Sequence, residues 1–246
     1  MSLGESDRPG PGPGETRALL RRGRVTVVGL GGVGGHAATA LAISGVGALH
    51  VIDQGTVAQP DLNRQPLYAE ADVGRAKVAA GADRLRQLST GIEVTGKQAE
   101  ISGAADLECI AGECDVLLLC ARTPPDIAAW ANLACLQART PWISAGYAGP
   151  GVTVGTFVPG HGGCWQCART VLASGRCRSD EPAPGGATVA PAAGIAGYLA
   201  ASAALGMLTG SEHISAGRVD AVSLLYPDAS FSLTARRRSD CPACAP

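Results

Sequence analysis

The stretch Val25-Thr-Val-Val-Gly-Leu-Gly-Gly-Val-Gly-Gly35 decides the fold of this chain. Four residues that favour strands lead directly into a cluster of glycines, and the next segment, His36–Ile43, predicts a helix of small residues. Gly29 allows the tight turn between strand and helix, Gly31 lets the backbone approach a phosphate, and Gly34 lets the helix lie close to the strand. A helix start also offers free N–H groups and a positive dipole end to an anion. The stretch therefore predicts a site for a phosphorylated ligand.

Length and composition narrow the class of protein. A chain of 246 residues, 46% of them hydrophobic, predicts one domain with a well-formed core. The net charge of −1 argues against a nucleic-acid or anionic-membrane partner. We expect no membrane span and no signal peptide, and the odd count of nine cysteines indicates a reducing compartment rather than a disulfide framework. The chain is predicted to be cytoplasmic.

The order of the segments predicts the architecture. Residues 1–15 carry Gly-Pro repeats and predict a disordered tail, followed by a single domain over residues 16–246. Strands and helices alternate through the first part of that domain, which predicts a Rossmann-like, doubly wound and mainly parallel sheet. Its predicted strands are Val25–Val28, Leu49–Asp53, Glu93–Ile101, Cys114–Cys120 and Pro141–Ala145. Antiparallel strands then continue the sheet, at Gly151–Val158 and in a hairpin formed by Val219–Tyr226 and Ser230–Arg236.

The remaining segments are predicted as helices and one loop. Apolar residues at helical spacing, or runs of small residues, predict the helices. These are Thr16–Arg22, Arg75–Leu88, Asp126–Ala138 and Ala192–Leu208. The segment between the last two of them includes Arg176–Pro191, which is rich in Pro and Gly and predicts a loop.

Two CxxC pairs predict a structural zinc (Zn2+) site. The pairs are Cys164-Trp-Gln-Cys167 and Cys241-Pro-Ala-Cys244. Tetrahedral zinc takes four thiolates, and a CxxC turn places two sulfurs on one side of the ion. Free thiols or a redox pair are the alternative, but two matched pairs favour zinc. Because a four-cysteine site has no open position for substrate, we assign the metal no catalytic role.

The segments after the second predicted strand complete a recognisable set of motifs. Here the chain resembles the superfamily of ThiF, MoeB and the ubiquitin-activating enzymes from about residue 24 onward. Its members carry GxGGxG, an acid after the second strand, an N-L-x-R-Q segment, a lysine in the next helix, and paired CxxC knuckles. The matching segments here are Gly29-Leu-Gly-Gly-Val-Gly34, Asp53, Asp61-Leu-Asn-Arg-Gln65, Lys77 and the four cysteines. The order and joint presence of these motifs are far more specific than any one of them.

The resemblance implies that ATP and a carboxylate react to give an acyl-adenylate and pyrophosphate. It places the nucleotide on Gly29, Gly31, Gly32 and Gly34, with Asp53 accepting from the ribose hydroxyls. The resemblance also implies Mg2+ and a partner that is a small ubiquitin-like carrier protein or a precursor peptide, and it implies a homodimer. Arg64 and Lys77 would neutralise charge on the phosphates. Gln65 would position a phosphate or the incoming carboxylate.

Three departures from the family pattern bear on catalysis. Asp61 stands where the family has asparagine, and it can either hold magnesium or repel phosphate. Arg122 stands where relatives have the aspartate that binds magnesium; it can replace part of the metal's charge by a bidentate phosphate contact, and Asp126 is a substitute ligand. The family's R-Y-x-R-Q-like N-terminal arm is absent, and the substitutes on offer are Arg17, Arg21 and Arg22.

Cys177 lies in the predicted loop between Arg176 and Arg178. Neighbouring cations lower the pKa of a thiol and favour the nucleophilic thiolate. Some relatives have a cysteine in this region that receives the acyl group or sulfur after adenylation. We therefore take Cys177 as a candidate catalytic residue, with an incidental exposed thiol as the alternative.

Three functions follow from these patterns. The leading hypothesis is an ATP-dependent adenylyltransferase that uses Arg64, Lys77 and Cys177. The second, motivated by Asp61 and Arg122, is an adenylation-deficient subunit that binds a leader peptide or a partner enzyme. The third is an NAD-dependent oxidoreductase, which would leave the two cations and the zinc cysteines without a role. The sequence does not identify the carboxylate substrate or the pathway.

Overall fold

The structure is a computed structural model that describes residues 11–173, 190–211 and 214–245. In chain order the helices are α1 Pro13–Arg22, α2 Gly32–Ile43, α3 Lys77–Leu88, α4 Ala104–Gly112, α5 Ile127–Ala138, α6 Trp165–Val171 and α7 Ala190–Thr209. The strands are β1 Arg24–Val28, β2 Ala48–Ile52, β3 Glu93–Lys97, β4 Val116–Leu119, β5 Trp142–Ala148, β6 Gly151–Phe157, β7 Arg218–Ser223 and β8 Phe231–Thr234. Short 3-10 helices lie at Gln59–Asp61, Glu70–Asp72 and Pro227–Ala229.

The described strands form one eight-stranded sheet in the order β3-β2-β1-β4-β5-β6-β7-β8. The pairs among β3, β2, β1, β4 and β5 are parallel, and the pairs from β5 to β8 are antiparallel. The prediction of a mainly parallel sheet continued by antiparallel strands is confirmed. Because β1 has β2 on one side and β4 on the other, the strand order reverses next to β1. Open α/β sheets bind ligands at the carboxyl ends of the strands at such a point.

Helices cover both faces of the sheet. On one face α2, α3 and α7 pack with Val25, Val27 and Leu118, and on the other α4, α5 and α6 pack with Leu117 and Leu119. The strand β4 is buried along its whole length, as a strand with helices on both sides must be. Each fully buried leucine here contributes about 1.5–3 kcal/mol relative to an exposed one. This two-sided core fixes the loops at the carboxyl edge.

Several element boundaries differ from the predicted ones. The helix α2 begins at Gly32 rather than at His36, because the glycines of the loop continue directly into helical backbone. The helix α1 begins at Pro13, inside the predicted tail, where proline suits a first helical turn. The rest of that tail, residues 1–10, lies outside the described residues. The helices α4 and α6 were not predicted from the sequence.

The helix α7 contradicts the expectation that no stretch is long and apolar enough to cross a membrane. It has 20 residues and meets that test by length and composition, but half of it is buried inside the fold. Its glycines allow close contact with α2: a Cβ at Gly197 would lie 2.6 Å from the carbonyl oxygen of Val33. Its apolar character is thus explained by its place against α2 and the sheet.

Candidate nucleotide site and cysteine cluster

The glycine-rich loop lies at the carboxyl edge of the parallel strands. Gly29 has a φ of +90°, and a Cβ there would lie 2.7 Å from the backbone nitrogen of Ala121, after β4. A Cβ at Gly34 would lie only 1.8 Å from the carbonyl oxygen of Gly29. Only glycine fits at either position without backbone movement. At Gly31, by contrast, a Cβ would meet nothing closer than 3.9 Å, so the loop is open where a ligand would approach.

Gly31 is the N-cap of α2, and no side chain caps this helix start. The first N–H groups of a helix have no partner within the helix. Those of Gly32, Val33 and Gly34 therefore face the edge where the loop is open. Together with the helix dipole they suit a phosphate, as the sequence predicted.

Asp53 follows β2 and fixes the glycine loop. Its Oδ2 accepts from the backbone N–H of Leu30 at 2.7 Å, and its Oδ1 accepts from that of Gly55 at 2.7 Å. Each carboxylate oxygen keeps a further acceptor position. Asp53 can therefore support the loop and still accept from a ribose hydroxyl.

Asp61 lies at the centre of the charged groups. Its Oδ1 accepts from Nε2 of Gln65 at 2.7 Å and lies 3.5 Å from the guanidinium of Arg64. Its Oδ2 accepts from the backbone N–H of Ala58 at 3.1 Å and lies 3.1 Å from Nζ of Lys77. Two of these contacts are hydrogen bonds and two are ion pairs. Asp61 therefore pairs with both candidate phosphate-binding cations, and a magnesium ion would have to displace them.

Gln65 lies beneath the glycine loop and is 2% exposed. Because Asp61 only accepts, the amide nitrogen of Gln65 faces it, and Oε1 faces away. Within the described part of the chain, this Oε1 is buried without a hydrogen-bond partner. Its Nε2 lies 3.9 Å from the place a Cβ on Gly31 would take. In this orientation Oε1 is a buried acceptor without a donor among the described residues, which suits a hydroxyl or an N–H group of a ligand.

Tyr68 is a supporting residue that the sequence did not single out. It is buried, and its hydroxyl donates to the carbonyl oxygen of Leu30 at 2.6 Å. Burial, with Asp53 and Asp61 nearby, raises the pKa of this phenol well above its usual value, so it stays a donor. Its spacing of three residues from Gln65 was the one available signal. Tyr68 ties the segment that carries Arg64 and Gln65 to the glycine loop.

Arg122 follows β4 at the same edge and is exposed. Its guanidinium donates to the carbonyl oxygen of Tyr147, at the end of β5, at 2.6 Å. Asp126, the N-cap of α5, is also exposed and makes no side-chain cap hydrogen bond. The edge thus has a cation where relatives are expected to have an acid. These residues do not fit a magnesium ion at the position that the family resemblance implies.

The substitutes proposed for the missing N-terminal arm lie elsewhere. Arg21 and Arg22 end α1 directly before β1 begins. They are therefore at the amino ends of the parallel strands, opposite the glycine loop. Arg17 is one turn earlier on the same helix. None of the three approaches the site of its own chain.

The four predicted zinc ligands come together. The sulfur atoms of Cys164, Cys167, Cys241 and Cys244 all lie within 4.8 Å of one another. The Sγ–Sγ distance is 4.0 Å between Cys164 and Cys167, and distances of 3.7 Å and 3.6 Å join the first pair to the second. A disulfide would need about 2.05 Å, whereas sulfurs at 2.3 Å from one tetrahedral zinc would be about 3.8 Å apart. The cluster therefore fits a zinc ion.

The predicted catalytic residue Cys177 lies outside the described residues, and its role stays a prediction. The other cysteines differ in exposure. Cys114 and Cys135 are buried, Cys120 is partly buried, and Cys109 is exposed. Burial raises the pKa of Cys120 to about 12, so this thiol at the end of β4 is unreactive.

Comparison with known proteins agrees with the geometry. The model of the ThiF family matches residues 12–243. The sulfur carrier protein ThiS adenylyltransferase of Escherichia coli K12 is 33% identical over 90% of this chain and 85% of its own length. The molybdopterin-synthase adenylyltransferase of the same organism is 32% identical, over 81% of this chain and 78% of its own.

Solved structures are similar as well. The crystal structure of E. coli MccB with ATP has a TM-score of 0.83 and 27% identity, and the match covers 95% of this chain and 69% of MccB. A structure of MccB with AMPCPP and MccA gives the same TM-score. The chain belongs to the ThiF family.

Proposed function

We propose that this protein is an ATP-dependent adenylyltransferase that activates a carboxylate as an acyl-adenylate. The observation that carries the proposal is convergence at the topological switch point. There the open start of α2, the carboxylate of Asp53 and the pair Arg64 and Lys77 meet at one edge of the sheet. The relatives named above are adenylyltransferases. We propose as substrate the C-terminus of a small ubiquitin-like or sulfur-carrier protein, or of a precursor peptide.

The reaction assigns work to this chain's own groups. A carboxylate oxygen of the partner attacks the α-phosphorus, the bond from that phosphorus to the bridging oxygen breaks, and pyrophosphate leaves. The N–H groups at the start of α2 bind phosphate oxygens, and Asp53 accepts from the ribose. Arg64 and Lys77 neutralise the charge that develops on the phosphates. Oε1 of Gln65 is a buried acceptor that can receive a hydrogen bond from a ligand.

Zinc and magnesium differ in how well the residues of this chain fit them. Zinc on the four cysteines supplies a structural cross-link and no chemistry at the nucleotide site. Magnesium, which the resemblance implies, would meet Arg122 in place of its ligand and an Asp61 already paired with Lys77 and Arg64. These residues do not fit the ion, and the reaction above assigns it no part. Arg122 instead supplies positive charge at this edge.

The test is ATP–pyrophosphate exchange with the full chain and candidate carriers that end in Gly-Gly. We expect exchange that depends on the carrier, and a loss of about 100-fold or more in Lys77→Met, since removing one charge-stabilising donor typically costs that much. Lys97→Met is the matched control, because Lys97 is the other lysine of the chain and is exposed at the end of β3. If no carrier supports exchange and the chain also fails to bind nucleotide, the proposal is contradicted.

A second function is favoured by the pairing of Asp61 with Lys77 and Arg64 and by the position of Arg122. It is a binding subunit that presents a leader peptide or completes a partner's site without adenylating. It predicts that Arg122→Asp combined with Asp61→Asn leaves complex formation unchanged, as measured by calorimetry with the partner. Exchange activity in the native chain alone would exclude it.

The oxidoreductase alternative uses few of these groups. Arg64, Lys77 and the cysteine cluster have no role in hydride transfer to or from NAD. A thermal-shift comparison separates the two ligands, since the melting temperature should rise with ATP and not with NAD. We further propose a homodimer in the cytoplasm, which sedimentation and fractionation would test.

A further inference from the structure

Asp61 sits 3.1 Å from Lys77 Nζ and 3.5 Å from the Arg64 guanidinium. Their side chains are only 13%, 13% and 22% exposed, in the order Asp61, Lys77, Arg64. Solvent screens such an ion pair much less than an exposed one. Both cations that a phosphate would use are thus already paired with one internal carboxylate, which offsets one of their two positive charges.

We propose that Asp61 is a specificity-determining residue that competes with ligand phosphates for Lys77 and Arg64. A ligand must carry enough negative charge to draw these cations away from Asp61, and its own charge is repelled by the carboxylate that remains. The penalty therefore grows with the number of phosphate charges near Asp61. This inference rests on the proposed nucleotide site and adds to it a residue that lowers phosphate affinity.

The contacts distinguish this role from metal binding. Asp61 accepts hydrogen bonds from the backbone N–H of Ala58 and from Gln65, and its charge is already paired with Lys77 and Arg64. An asparagine at this position could still accept from Ala58, but it would bear no charge to hold Lys77. The substitution Asp61→Asn therefore removes the competition while keeping the shape of the turn.

The chain contains a matched control in the next turn. Asp72 occupies the same position in its 3-10 helix as Asp61 does in Gln59–Asp61. It accepts from the backbone N–H of Ala69 at 3.0 Å and pairs at 2.6 Å with Arg75, three residues on. Asp72→Asn thus repeats the chemical change in the same kind of turn, but with an exposed arginine outside the site.

The experiment is calorimetric titration of the full-length native chain, Asp61→Asn and Asp72→Asn with four probes, in buffer prepared without magnesium and without a chelator. The probes are ATP, AMP, adenosine and inorganic tripolyphosphate. For Asp61→Asn we expect at least tenfold tighter binding of ATP and tripolyphosphate, equivalent to about 1.4 kcal/mol. The gain should be smaller for AMP and absent for adenosine. Asp72→Asn should match the native chain with all four.

Equal or weaker binding of ATP and tripolyphosphate by Asp61→Asn than by the native chain would overturn the inference. Tighter tripolyphosphate binding without any ATP binding would support it while overturning the proposed nucleotide site. Should Asp61→Asn fail to fold, lysine side-chain NMR on the native chain replaces it, since the sequence has two lysines, Lys77 and Lys97. Tripolyphosphate should shift the signal of Lys77 alone, and a titration that leaves it unchanged would also overturn the inference.

Discussion

The zinc proposed for the cysteine cluster gives the most direct test of the fold, because a chelator can remove it. The cluster joins the start of α6 to the C-terminal turn, and Cys164 and Cys241 are 77 residues apart. A cross-link stabilises a protein by reducing the entropy of its unfolded chain, the more so for longer loops. With the relation used for disulfides, a loop of 77 residues corresponds to about 4.5 kcal/mol at 25 °C. The relation describes a link that stays closed in the unfolded chain, whereas zinc released on unfolding acts as a ligand of the folded state, so the figure sets the order of magnitude of the effect.

The assay is thermal unfolding before and after dialysis against a strong chelator, with zinc content measured by mass spectrometry. For a chain of this size 1 kcal/mol shifts the melting temperature by about 2–4 °C, so we expect a fall of roughly 10–18 °C. Cys241→Ser should reproduce the fall without chelator. Cys109→Ser, an exposed thiol outside the cluster, should change the unfolding free energy by less than about 0.5 kcal/mol.

Two results would refute this reasoning. One is a native chain purified with its four thiols reduced and less than a stoichiometric amount of zinc. The other is a melting temperature that chelation leaves unchanged although the metal has been removed. In either case the sulfur distances would reflect only the packing of four small side chains.

The remaining predictions concern the support of the site and one surface ion pair. Tyr68→Phe leaves a buried carbonyl oxygen of Leu30 without its donor, so urea unfolding should show a loss of about 1–3 kcal/mol, together with weaker ATP binding. Gly34→Ala forces α2 away from the loop, and should abolish ATP binding in calorimetry while the sheet's circular dichroism persists. Burial raises the pKa of Asp220, but hydrogen bonds from Arg218 and Ser232 outweigh it and lower the pKa overall. Because the pKa is lower in the folded protein, the ionised carboxylate stabilises the fold at pH values above the unfolded pKa of about 3.9, and this stabilisation is lost as the pH falls through the folded pKa. The decrease in unfolding free energy caused by Asp220→Asn, measured with urea, should therefore shrink between pH 5 and pH 3.

The parallel sheet was predictable because its signals are local. The strands β1, β2 and β4 are short and mostly apolar, and Gly34 is required by its contact with Gly29, only five residues away. The cysteine cluster was predictable for another reason: CxxC is itself a ligand spacing, so two pairs imply each other across 77 residues. The helices α4 and α6 were missed because their nine and seven residues are too short for a helical spacing to be recognised.

The network around Asp61 was not predictable from the sequence. The sequence offered two roles for this acid, metal binding or repulsion of phosphate, and both are consistent with an aspartate in a turn. The choice depends on where Lys77 lies, sixteen positions on, and on the backbone N–H of Ala58. Only the assembled fold shows that two hydrogen-bond donors and two cations surround Asp61. The orphan Oε1 of Gln65 follows from the same contact, since Asp61 fixes which way the amide points.

The departures from the family pattern at Asp61 and Arg122 both change the positive charge that is available to a ligand's phosphates. Asp61 lowers it by holding Lys77 and Arg64, and Arg122 raises it from the opposite side of the loop, after β4. Relative to a site with asparagine and aspartate at these positions, an acid has changed sides and a cation has been added. A carboxylate at position 122 would need a metal ion between itself and the phosphates, whereas a guanidinium can contact them directly. We therefore expect Arg122 to support phosphate binding with less dependence on a divalent cation, and Asp61 to limit that affinity.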